Sequence, residues 1–283
     1  MKIISTPLEM QHAALAMKRG GRRIGFVPTM GFLHEGHLSL VKIARHHADV
    51  VVLSLFVNPT QFGPGEDLGR YPRDFERDRK LSEAAGVDVL FAPETAAMYA
   101  KDASVAVVEE NLSRGLCGAS RPTHFRGVVT VVSKLFNLCL PDVAVFGEKD
   151  AQQIRVIRRL VRDLNFPVEI ISGPTIREPD GLAMSSRNVN LSPAERKQAL
   201  CLRRALDRAE VLQRSGERDA ARIRASMVEA VAMEPLATID YIEIVDDETL
   251  EPVARTDRPT LVALAVKFSK TRLIDNAVLK PGT

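Results

Sequence analysis

Short apolar runs alternate with helical segments through the first two-thirds of the sequence, and this alternation constrains the fold more than any other feature. Residues 50–57 form an almost continuous apolar run that is β-branched at its start, as is typical of a parallel strand buried on both faces. Similar runs occupy residues 23–27, 87–91, 143–146 and 168–171, and helical patterns occupy residues 37–48, 74–85, 128–140 and 151–164. Strands separated by helices predict βαβ units, and hence an α/β fold with a parallel sheet flanked by helices.

The pattern changes after about residue 175. Helices are predicted at residues 193–213 and 218–233, and strands at residues 239–245 and 261–266. Ser192 followed by Pro193 and Glu195 is a good helix start. Because two helices followed by strands no longer fit βαβ units, we expect a first domain over residues 1–175 and a smaller α+β domain over residues 176–283.

Composition and charge argue against several classes of protein. The net charge of +3 is small for 283 residues, and no basic stripe interleaved with aromatic residues is present, so no nucleic-acid partner is expected. Three cysteines without CxxC spacing indicate a reducing compartment rather than a disulfide framework or a zinc site. The N-terminus lacks a long apolar segment, and no apolar run approaches ~18 residues. We therefore expect a soluble, cytoplasmic protein without a membrane partner.

Residues 28–37, PTMGFLHEGH, are the most informative segment. They lie between a predicted strand and a predicted helix, at the sheet edge where open α/β folds bind ligands. Gly31 and Gly36 permit tight turns, and His34 and His37 are three residues apart at the helix start. Free backbone N–H groups and the helix dipole there favour a phosphate group. A metal-binding pair and two surface histidines are the alternatives, although no third zinc ligand is near.

Two later segments add cationic and hydroxyl groups. Lys149, in FGEKD at 146–150, is suited to neutralising a phosphate group. Asp150 is suited to accepting from ribose hydroxyls, and it also fits a capping role at the start of the next helix. MSSR at 184–187 supplies two hydroxyls and a guanidinium that are suited to a polyphosphate, although Ser-Ser-Arg alone is common.

Two loops offer further polar groups. Asn58 and Gln61, in NPTQF at 58–62, either bind a small polar substrate or form a simple Asn-Pro turn. RPTHFRG at 121–127 adds cationic groups that either contact an anion or are merely exposed. GxxxxGK[ST] and GxSxG segments are absent, as is GxGxxG after the first strand. A P-loop protein, a dinucleotide-dependent redox enzyme and a hydrolase with a nucleophile elbow are therefore not expected.

Seven segments together resemble the pantothenate synthetase (pantoate–β-alanine ligase) family. They are PTMGFLHEGH at 28–37, FVNPTQF at 56–62, RYPR at 70–73, RPTHFRGV at 121–128, FGEKD at 146–150, DGLAMSSRN at 180–188 and TRLIDN at 271–276. Seven segments in the family's order over nearly the whole chain make the resemblance specific. His34 to His37 also resembles the His-x-Gly-His element of a wider nucleotidyltransferase superfamily.

The resemblance implies a Rossmann-like N-terminal domain that binds ATP and pantoate, a small C-terminal lid and a homodimer. It implies an AMP-forming ligase of pantothenate and coenzyme A biosynthesis that takes ATP with Mg²⁺. In that reaction the pantoate carboxylate attacks the α-phosphorus, pyrophosphate leaves, and β-alanine then attacks the pantoyl adenylate to give pantothenate and AMP.

The resemblance also implies the site residues. The catalytic residues would be His37 as proton donor, His34 and Lys149. ATP would be bound by Met30, Gly31, Phe32, Leu33, His34, Glu35, Gly36, His37, Gly147, Glu148, Lys149, Asp150, Ile176, Met184, Ser185, Ser186 and Arg187. Gln61 and Gln153 would bind pantoate, and Gln61 would also border β-alanine. The sequence marks no acidic cluster as a magnesium site.

One departure from the family and three rival functions stay open at this point. Phe268, Ser269 and Lys270 stand where the family often has a glycine, so the turn before TRLIDN is expected to differ. A related nucleotidyltransferase would also release pyrophosphate, but it would keep AMP in its product. A non-catalytic nucleotide sensor would bind ATP without turnover. A tRNA-charging enzyme is not favoured, because the sequence has no anticodon-binding extension or basic face.

Overall fold

Six parallel strands form the sheet of the first of two units into which the chain divides. The computed structural model describes residues 1–280. The first unit contains Met1–Asn111, Arg121–Glu148 and Gln153–Pro174. Its strands are β1 (Lys2–Ile4), β2 (Ile24–Thr29), β3 (Val50–Leu55), β4 (Val89–Phe91), β5 (Val143–Gly147) and β6 (Glu169–Gly173). They lie in the order β1-β4-β3-β2-β5-β6.

The helices of this part of the chain alternate with the strands. They are α1 (Pro7–Arg19), α2 (Glu35–His47), α3 (Phe75–Ala84), α4 (Thr95–Met98), α6 (His124–Cys139) and α7 (Ala151–Asp163), with the short helix α5 (Cys117–Ser120) assigned to the second unit. Among residues 1–280, none of the helices is long and apolar enough to cross a bilayer. Parallel strands joined through helices confirm the predicted α/β class.

The order of the strands brings the ends of β2, β3 and β5 to one edge of the sheet. β2 lies between β3 and β5, and the loops that follow these strands carry three of the segments singled out in the sequence. Strand β2 runs through Pro28 to Thr29, although we expected it to end before Pro28. The proline, which has no N–H, is tolerated because the pairing of β2 with β5 involves Gly25 and Phe26 and has ended before it.

The core of the first unit is mostly aliphatic. Val27, Leu53 and Val145 come from three neighbouring strands and are completely buried, and α2 packs Val41 and Ala44 against the same cluster. Leu33 also belongs to this cluster and is completely buried. The loop between β2 and α2 is therefore anchored in the core beside the end of the strand.

The second unit contains Leu112–Ser120, Lys149–Gln152 and the chain from Thr175 onward. Its helices are α8 (Pro193–Gln198), α9 (Cys201–Arg214) and α10 (Ala220–Ala232), and its strands are β7 (Ala237–Asp246), β8 (Thr260–Phe268) and β9 (Thr271–Leu279). The strands form an antiparallel sheet in the order β7-β8-β9, and the helices share a separate hydrophobic core with it. The predicted α+β character of this part is confirmed.

A single predicted helix over residues 193–213 is wrong, because the structure has two. Helix α8 ends at Gln198 and α9 begins at Cys201. Between them the Leu200 N–H donates to the Lys197 carbonyl and the Leu202 N–H donates to the Ala199 carbonyl. These are i to i−3 bonds, which tighten the backbone into a turn. No glycine or proline marks the break, so the apolar periodicity did not reveal it.

Candidate active site

The loop between β2 and α2 begins with two residues in the left-handed region. Gly31 has φ of 82° and Phe32 has φ of 49°. A Cβ on Gly31 would lie 3.0 Å from Asp78 Oδ2, so both the backbone conformation and the close approach favour glycine here. The Thr29 hydroxyl accepts from the Gly31 N–H at 3.2 Å and donates to the Ser54 carbonyl at 2.7 Å. These bonds fix the loop to the ends of β2 and β3.

A buried carboxylate of helix α3 holds the next part of the loop. Asp78 is 2% exposed, and its two oxygens accept from the Phe32 N–H at 2.6 Å and from the Leu33 N–H at 2.7 Å. Burial raises the pKa of Asp78. The two N–H donors and the nearby charge of Arg77 lower this pKa, but they do not reverse the shift. The motifs did not single out Asp78. The one sign in the sequence is an acidic residue within a predicted helix, which is too common to identify it.

His34 and His37 form a reciprocal cap at the start of α2. The Gly36 N–H donates to His34 Nδ1 at 3.2 Å, and the His34 N–H donates to His37 Nδ1 at 3.3 Å. The ring centroids are 4.0 Å apart. Because Nδ1 accepts a hydrogen bond in both rings, the proton of each neutral imidazole sits on Nε2. The cap therefore sets the tautomer of both histidines.

The backbone N–H groups of this segment are not the free donors that the sequence led us to expect. Six of them donate to acceptors within the protein. They are the N–H groups of Gly31, Phe32, Leu33, His34, Gly36 and His37. These six N–H groups are therefore not free donors, and the expected binding of ATP by residues 30–37 stays a prediction. The Nε2–H groups of the two imidazoles are better candidates for binding an anion.

Gln61 lies in a network that fixes the orientation of its amide. It belongs to a 3-10 turn, Pro59–Gln61, and is 8% exposed. Asn58 Nδ2 donates to Gln61 Oε1 at 3.1 Å, while Gln61 Nε2 lies 3.1 Å from the sulfur of Met30. Asn58 is itself fixed, because its Oδ1 accepts from the Tyr99 hydroxyl at 2.9 Å. Gln61 therefore uses its oxygen within the protein and presents its NH₂ group on the side of Met30.

The loop before α6 supports the same turn from the other side. Arg121 forms an ion pair with Glu66 at 2.7 Å and donates to the Gln61 carbonyl at 3.1 Å. His124 Nδ1 lies 3.0 Å from that carbonyl. Burial raises the pKa of Glu66, but the hydrogen bond and charge of Arg121 outweigh it and hold this pKa below its usual value. The RPTHFRG segment thus contacts the Gln61 carbonyl and the Glu66 carboxylate, which accounts in part for its cationic groups.

The predicted ATP-binding residues of the second unit form two local structures. Lys149 is half-buried, and its carbonyl accepts from Asn276 Nδ2 at 2.9 Å. This contact joins the FGEKD and TRLIDN segments. Asp150 is exposed and ends a 3-10 turn, Glu148–Asp150, that runs directly into α7.

Residues 176–187 form the other local structure. The Met184 N–H donates to the Ile176 carbonyl at 3.0 Å. The Ser185 hydroxyl accepts from the Arg187 N–H at 3.3 Å and caps the 3-10 helix Ser186–Asn190. Ile176, Met184, Ser185 and Arg187 are half-buried, and Ser186 is buried.

The remaining predicted residues belong to the first unit. Gly147 ends β5, and Glu148 begins the turn that follows it. Gln153 lies in the first turn of α7 and is half-buried. The structure thus brings Met30, Asn58 and Gln61 together, and it places the His34–His37 cap on the same loop as Met30.

The described chain offers no ready-made cage for a metal ion. Among residues 1–280, no three His, Cys, Asp or Glu side chains come together in an arrangement that could hold one. In nucleotide-binding enzymes Mg²⁺ is usually held by one or two carboxylates together with substrate phosphates, which requires no such cluster.

Comparison with known proteins identifies the family. The family described as pantoate-beta-alanine ligase matches residues 2–278. Pantothenate synthetase of Thermotoga neapolitana is 59% identical over 279 residues, which cover 99% of this chain and 100% of that protein. The corresponding protein of Heliobacterium modesticaldum is 57% identical over 280 residues, covering 99% of this chain and 100% of its own length.

Solved structures agree with these relatives. Pantothenate synthetase from Thermus thermophilus superposes with a TM-score of 0.94 at 48% identity, covering 99% of this chain and 100% of that one. Pantoate-beta-alanine ligase from Francisella tularensis, in a complex with beta-gamma ATP and beta-alanine, superposes with a TM-score of 0.83 at 33% identity. The superposition covers 100% of this chain and 99% of that one. The family match over residues 2–278, the shared fold and the ordered signature segments lead to one conclusion: the chain belongs to the pantoate-β-alanine ligase family.

Proposed function

We propose that this protein condenses pantoate with β-alanine at the expense of ATP, giving pantothenate, AMP and pyrophosphate. The observation that carries the proposal is family membership over nearly the whole chain. A relative that matches this chain from end to end is described with ATP and β-alanine bound, which supports both substrates. The product places the enzyme in pantothenate biosynthesis.

The first step forms pantoyl adenylate. A carboxylate oxygen of pantoate attacks the α-phosphorus of ATP, and the bond from that phosphorus to the β-phosphate oxygen breaks, so pyrophosphate leaves. A carboxylate is already an anion at neutral pH, so this step needs no strong general base. The difficulty is to bring two anions together and to stabilise the charge that moves onto pyrophosphate, and each preorganised donor is worth roughly 3 kcal/mol in such a step.

The residues present supply those donors. We assign the Nε2–H groups of His34 and His37, with Lys149 and Arg187, to the phosphates of ATP, and His37 to proton donation. The remaining ATP-binding residues are those predicted: 30–37, 147–150, Ile176 and 184–187. Magnesium enters as Mg-ATP and is held mainly by the phosphates, because the described residues offer no cage of their own.

Gln61 and Gln153 are assigned to pantoate. The amide orientation of Gln61 supports this assignment, since an NH₂ group suits a carboxylate or hydroxyl oxygen. In the second step the β-alanine ammonium loses a proton, its nitrogen attacks the acyl carbon, and the carbon–oxygen bond to AMP breaks. The second proton on nitrogen then leaves, giving the neutral amide of pantothenate. Gln61 also borders the proposed β-alanine position.

Exchange of labelled pyrophosphate into ATP tests the proposal. With pantoate present and β-alanine omitted, we expect exchange that disappears when pantoate is left out. Replacing Lys149 with alanine should slow the exchange by orders of magnitude, while Lys197→Ala, on the exposed surface of α8, should leave it unchanged. Exchange that ignores pantoate, or that needs a phosphorylated co-substrate, would favour the related nucleotidyltransferase in which AMP stays in the product.

Two further properties belong to the proposal through the family. We propose a homodimer and a cytoplasmic location. Sedimentation of the purified protein tests the first, with a single species near 31.2 kDa as the outcome against it. Cell fractionation tests the second.

A further inference from the structure

Asp78 is a buried, charged side chain that the proposed reaction does not use. It lies on the buried side of α3 beside Ser82, and it is 2% exposed. A carboxylate is costly to bury unless its oxygens are hydrogen-bonded. Here the two oxygens take up two consecutive backbone N–H groups, those of Phe32 and Leu33. Its position is therefore explained by the loop it holds.

The loop needs such a partner. Gly31 and Phe32 have positive φ, and this arrangement turns successive N–H groups toward one point, forming a concave site for an anion. Left-handed backbone at a residue such as Phe32 persists only where the surroundings enforce it. The anion that satisfies this site is the protein's own carboxylate rather than a phosphate of a ligand.

The loop leads directly into the histidine cap. Leu33, which donates to Asp78, is followed by His34, whose own N–H donates to His37 Nδ1. The Nδ1 atom of His34 in turn accepts from Gly36. The direction of the His34 N–H is set by the peptide that precedes it, so a shift at residues 32–33 moves both rings.

We propose that Asp78 is a positioning residue, which fixes the turn at residues 31–33 so that both imidazoles keep Nδ1 as acceptor and the proton on Nε2. The effect on the rings follows from the geometry alone. The consequence for catalysis rests on the proposed function, in which the two Nε2–H groups serve the phosphates of ATP.

The variant Asp78→Asn tests this proposal. An amide has nearly the volume of the carboxylate, but it sets an NH₂ group against one of the two N–H donors. Asp246→Asn is the matched control, because Asp246 is 8% exposed and also accepts two consecutive N–H groups, those of Glu248 and Thr249. Asp246 lies in the second unit, whereas the histidine loop belongs to the first.

The first readout is independent of activity. Nitrogen NMR of histidine-labelled protein, with the rings in the neutral form, distinguishes an acceptor Nδ1 from a protonated one. We expect His34 and His37 to be Nε2–H tautomers in the parent protein and in Asp246→Asn, and a mixture of tautomers in Asp78→Asn. Assignment uses His34→Gln and His37→Gln. Should Asp78→Asn fail to fold, Asp78→Ser takes its place.

The second readout is the pyrophosphate exchange reaction. We expect Asp78→Asn to lower kcat roughly a hundredfold, as a displacement of about 1 Å can do, with the KM for Mg-ATP changed only a few-fold. Unchanged tautomers in a folded Asp78→Asn would overturn the proposal. So would a defect that higher Mg²⁺ concentration repairs, because Asp78 would then act on the metal. Absence of exchange in the parent protein would refute the proposed function, while the NMR result would still decide the role of Asp78.

Discussion

At the scale of single residues, hydrogen bonds decide which atoms the candidate site presents. Asn58 accepts at Oδ1 from the Tyr99 hydroxyl and from the Thr60 hydroxyl, each at 2.9 Å. Its Nδ2 is therefore a donor, toward Gln61 Oε1 and the Gly127 carbonyl. A chain of fixed donors and acceptors thus runs from Tyr99 to the amide of Gln61, and it leaves the NH₂ group of Gln61 on the side of Met30.

Replacing Asn58 with aspartate should remove the donor that orients the amide of Gln61. A carboxylate oxygen would then face Gln61 Oε1, so the amide of Gln61 must rotate or lose its partner. An unsatisfied buried polar group costs about 1–3 kcal/mol, so we expect the KM for pantoate to rise roughly tenfold or more. Steady-state kinetics with varied pantoate measures the effect.

Tyr99→Phe is the comparison for this variant, because it removes one donor to Asn58 Oδ1 and leaves the Thr60 hydroxyl in place. We expect a smaller rise in the KM for pantoate, of a few-fold. Equal effects of the two variants would mean that the amide orientation of Gln61 does not govern pantoate binding.

Candidate ligand-binding residues could be proposed from the sequence, but the residues that hold these candidates in place could not. His34, His37 and Gln61 stand in short segments with recognisable spacing. Asp78 and Tyr99 act on residues 46 and 41 positions away in the chain, respectively. An isolated Asp in a helix or Tyr in a loop carries no local signal for such a contact. Their roles became visible only when the fold brought them beside the motifs.

At the scale of elements, helix α6 and the turn Pro59–Gln61 approach so closely that only glycine fits between them. A Cβ on Gly127 would overlap the Thr60 carbonyl group and the Cα of Gln61. The obstacle is backbone, which cannot rotate aside as a side chain can. The Asn58 amide also donates to the Gly127 carbonyl, so a shift of α6 would reach the network around Gln61.

Gly127→Ala should therefore weaken both the fold and the site. Overpacking typically costs about 1–3 kcal/mol, and we expect a lower free energy of unfolding together with a raised KM for pantoate. Gly69→Ala is the control, since a Cβ there meets nothing within 4 Å and its φ is not positive. Denaturant unfolding measures the stability of the two variants, and steady-state kinetics measures their KM for pantoate. A Gly127→Ala protein as stable as Gly69→Ala would contradict the close approach of α6 to the turn.

Asp240 ties the three strands of the second sheet together at an irregularity in β7. The register of β7 against β8 shifts between Ile239 and Tyr241, which leaves Asp240 at the bulge. There it forms ion pairs at 2.9 Å with Lys267 of β8 and with Arg272 of β9. Burial raises the pKa of Asp240, but hydrogen bonds from Lys267, Ser120 and Arg272 outweigh burial and lower this pKa to about 2.

This shift predicts a loss of stability in acid. Because the pKa in the folded state lies below the unfolded value of 3.8, the carboxylate stabilises the fold above pH 3.8 and loses this effect as the pH falls toward 2. The contribution is about 2 kcal/mol. Thermal unfolding of the parent protein and of Asp240→Asn should differ most near neutral pH and converge in acid. A difference that is constant with pH would contradict the assignment.

The sequence predicted most elements because their periodicity is strong, and it failed where tertiary contacts decide. The parallel strands were found from continuous apolar runs, whereas β1, with three residues, is too short to show a pattern. The turn after β8 shows how a departure is accommodated. Ser269 adopts φ of 50°, as a glycine would, and its hydroxyl donates to Glu195 Oε1 at 2.6 Å. This bond stabilises a conformation that serine alone disfavours.

At the scale of the whole molecule, each unit has its own hydrophobic core, and the predicted ATP-binding residues belong to both units. The loop at 30–37 is in the first unit, whereas Lys149, Asp150 and residues 184–187 are in the second. The expected boundary near residue 175 and the lid remain predictions. The short segments Leu112–Ser120 and Lys149–Gln152 belong to the second unit. A single boundary, placed where the pattern changes along the sequence, cannot identify such separate segments.

The proposed reaction passes through an acyl adenylate, which the enzyme must keep from water until the amine arrives. We therefore expect that mixing the enzyme with ATP and pantoate, without β-alanine, releases about one pyrophosphate per chain in a rapid burst and then slows, as a retained intermediate requires. Adding β-alanine should then release AMP and form pantothenate in the same amount. Rapid chemical quench with labelled ATP measures both phases. Pyrophosphate release that continues without β-alanine would mean that the adenylate is hydrolysed or lost. Release that begins only with β-alanine would mean that no separate adenylate forms.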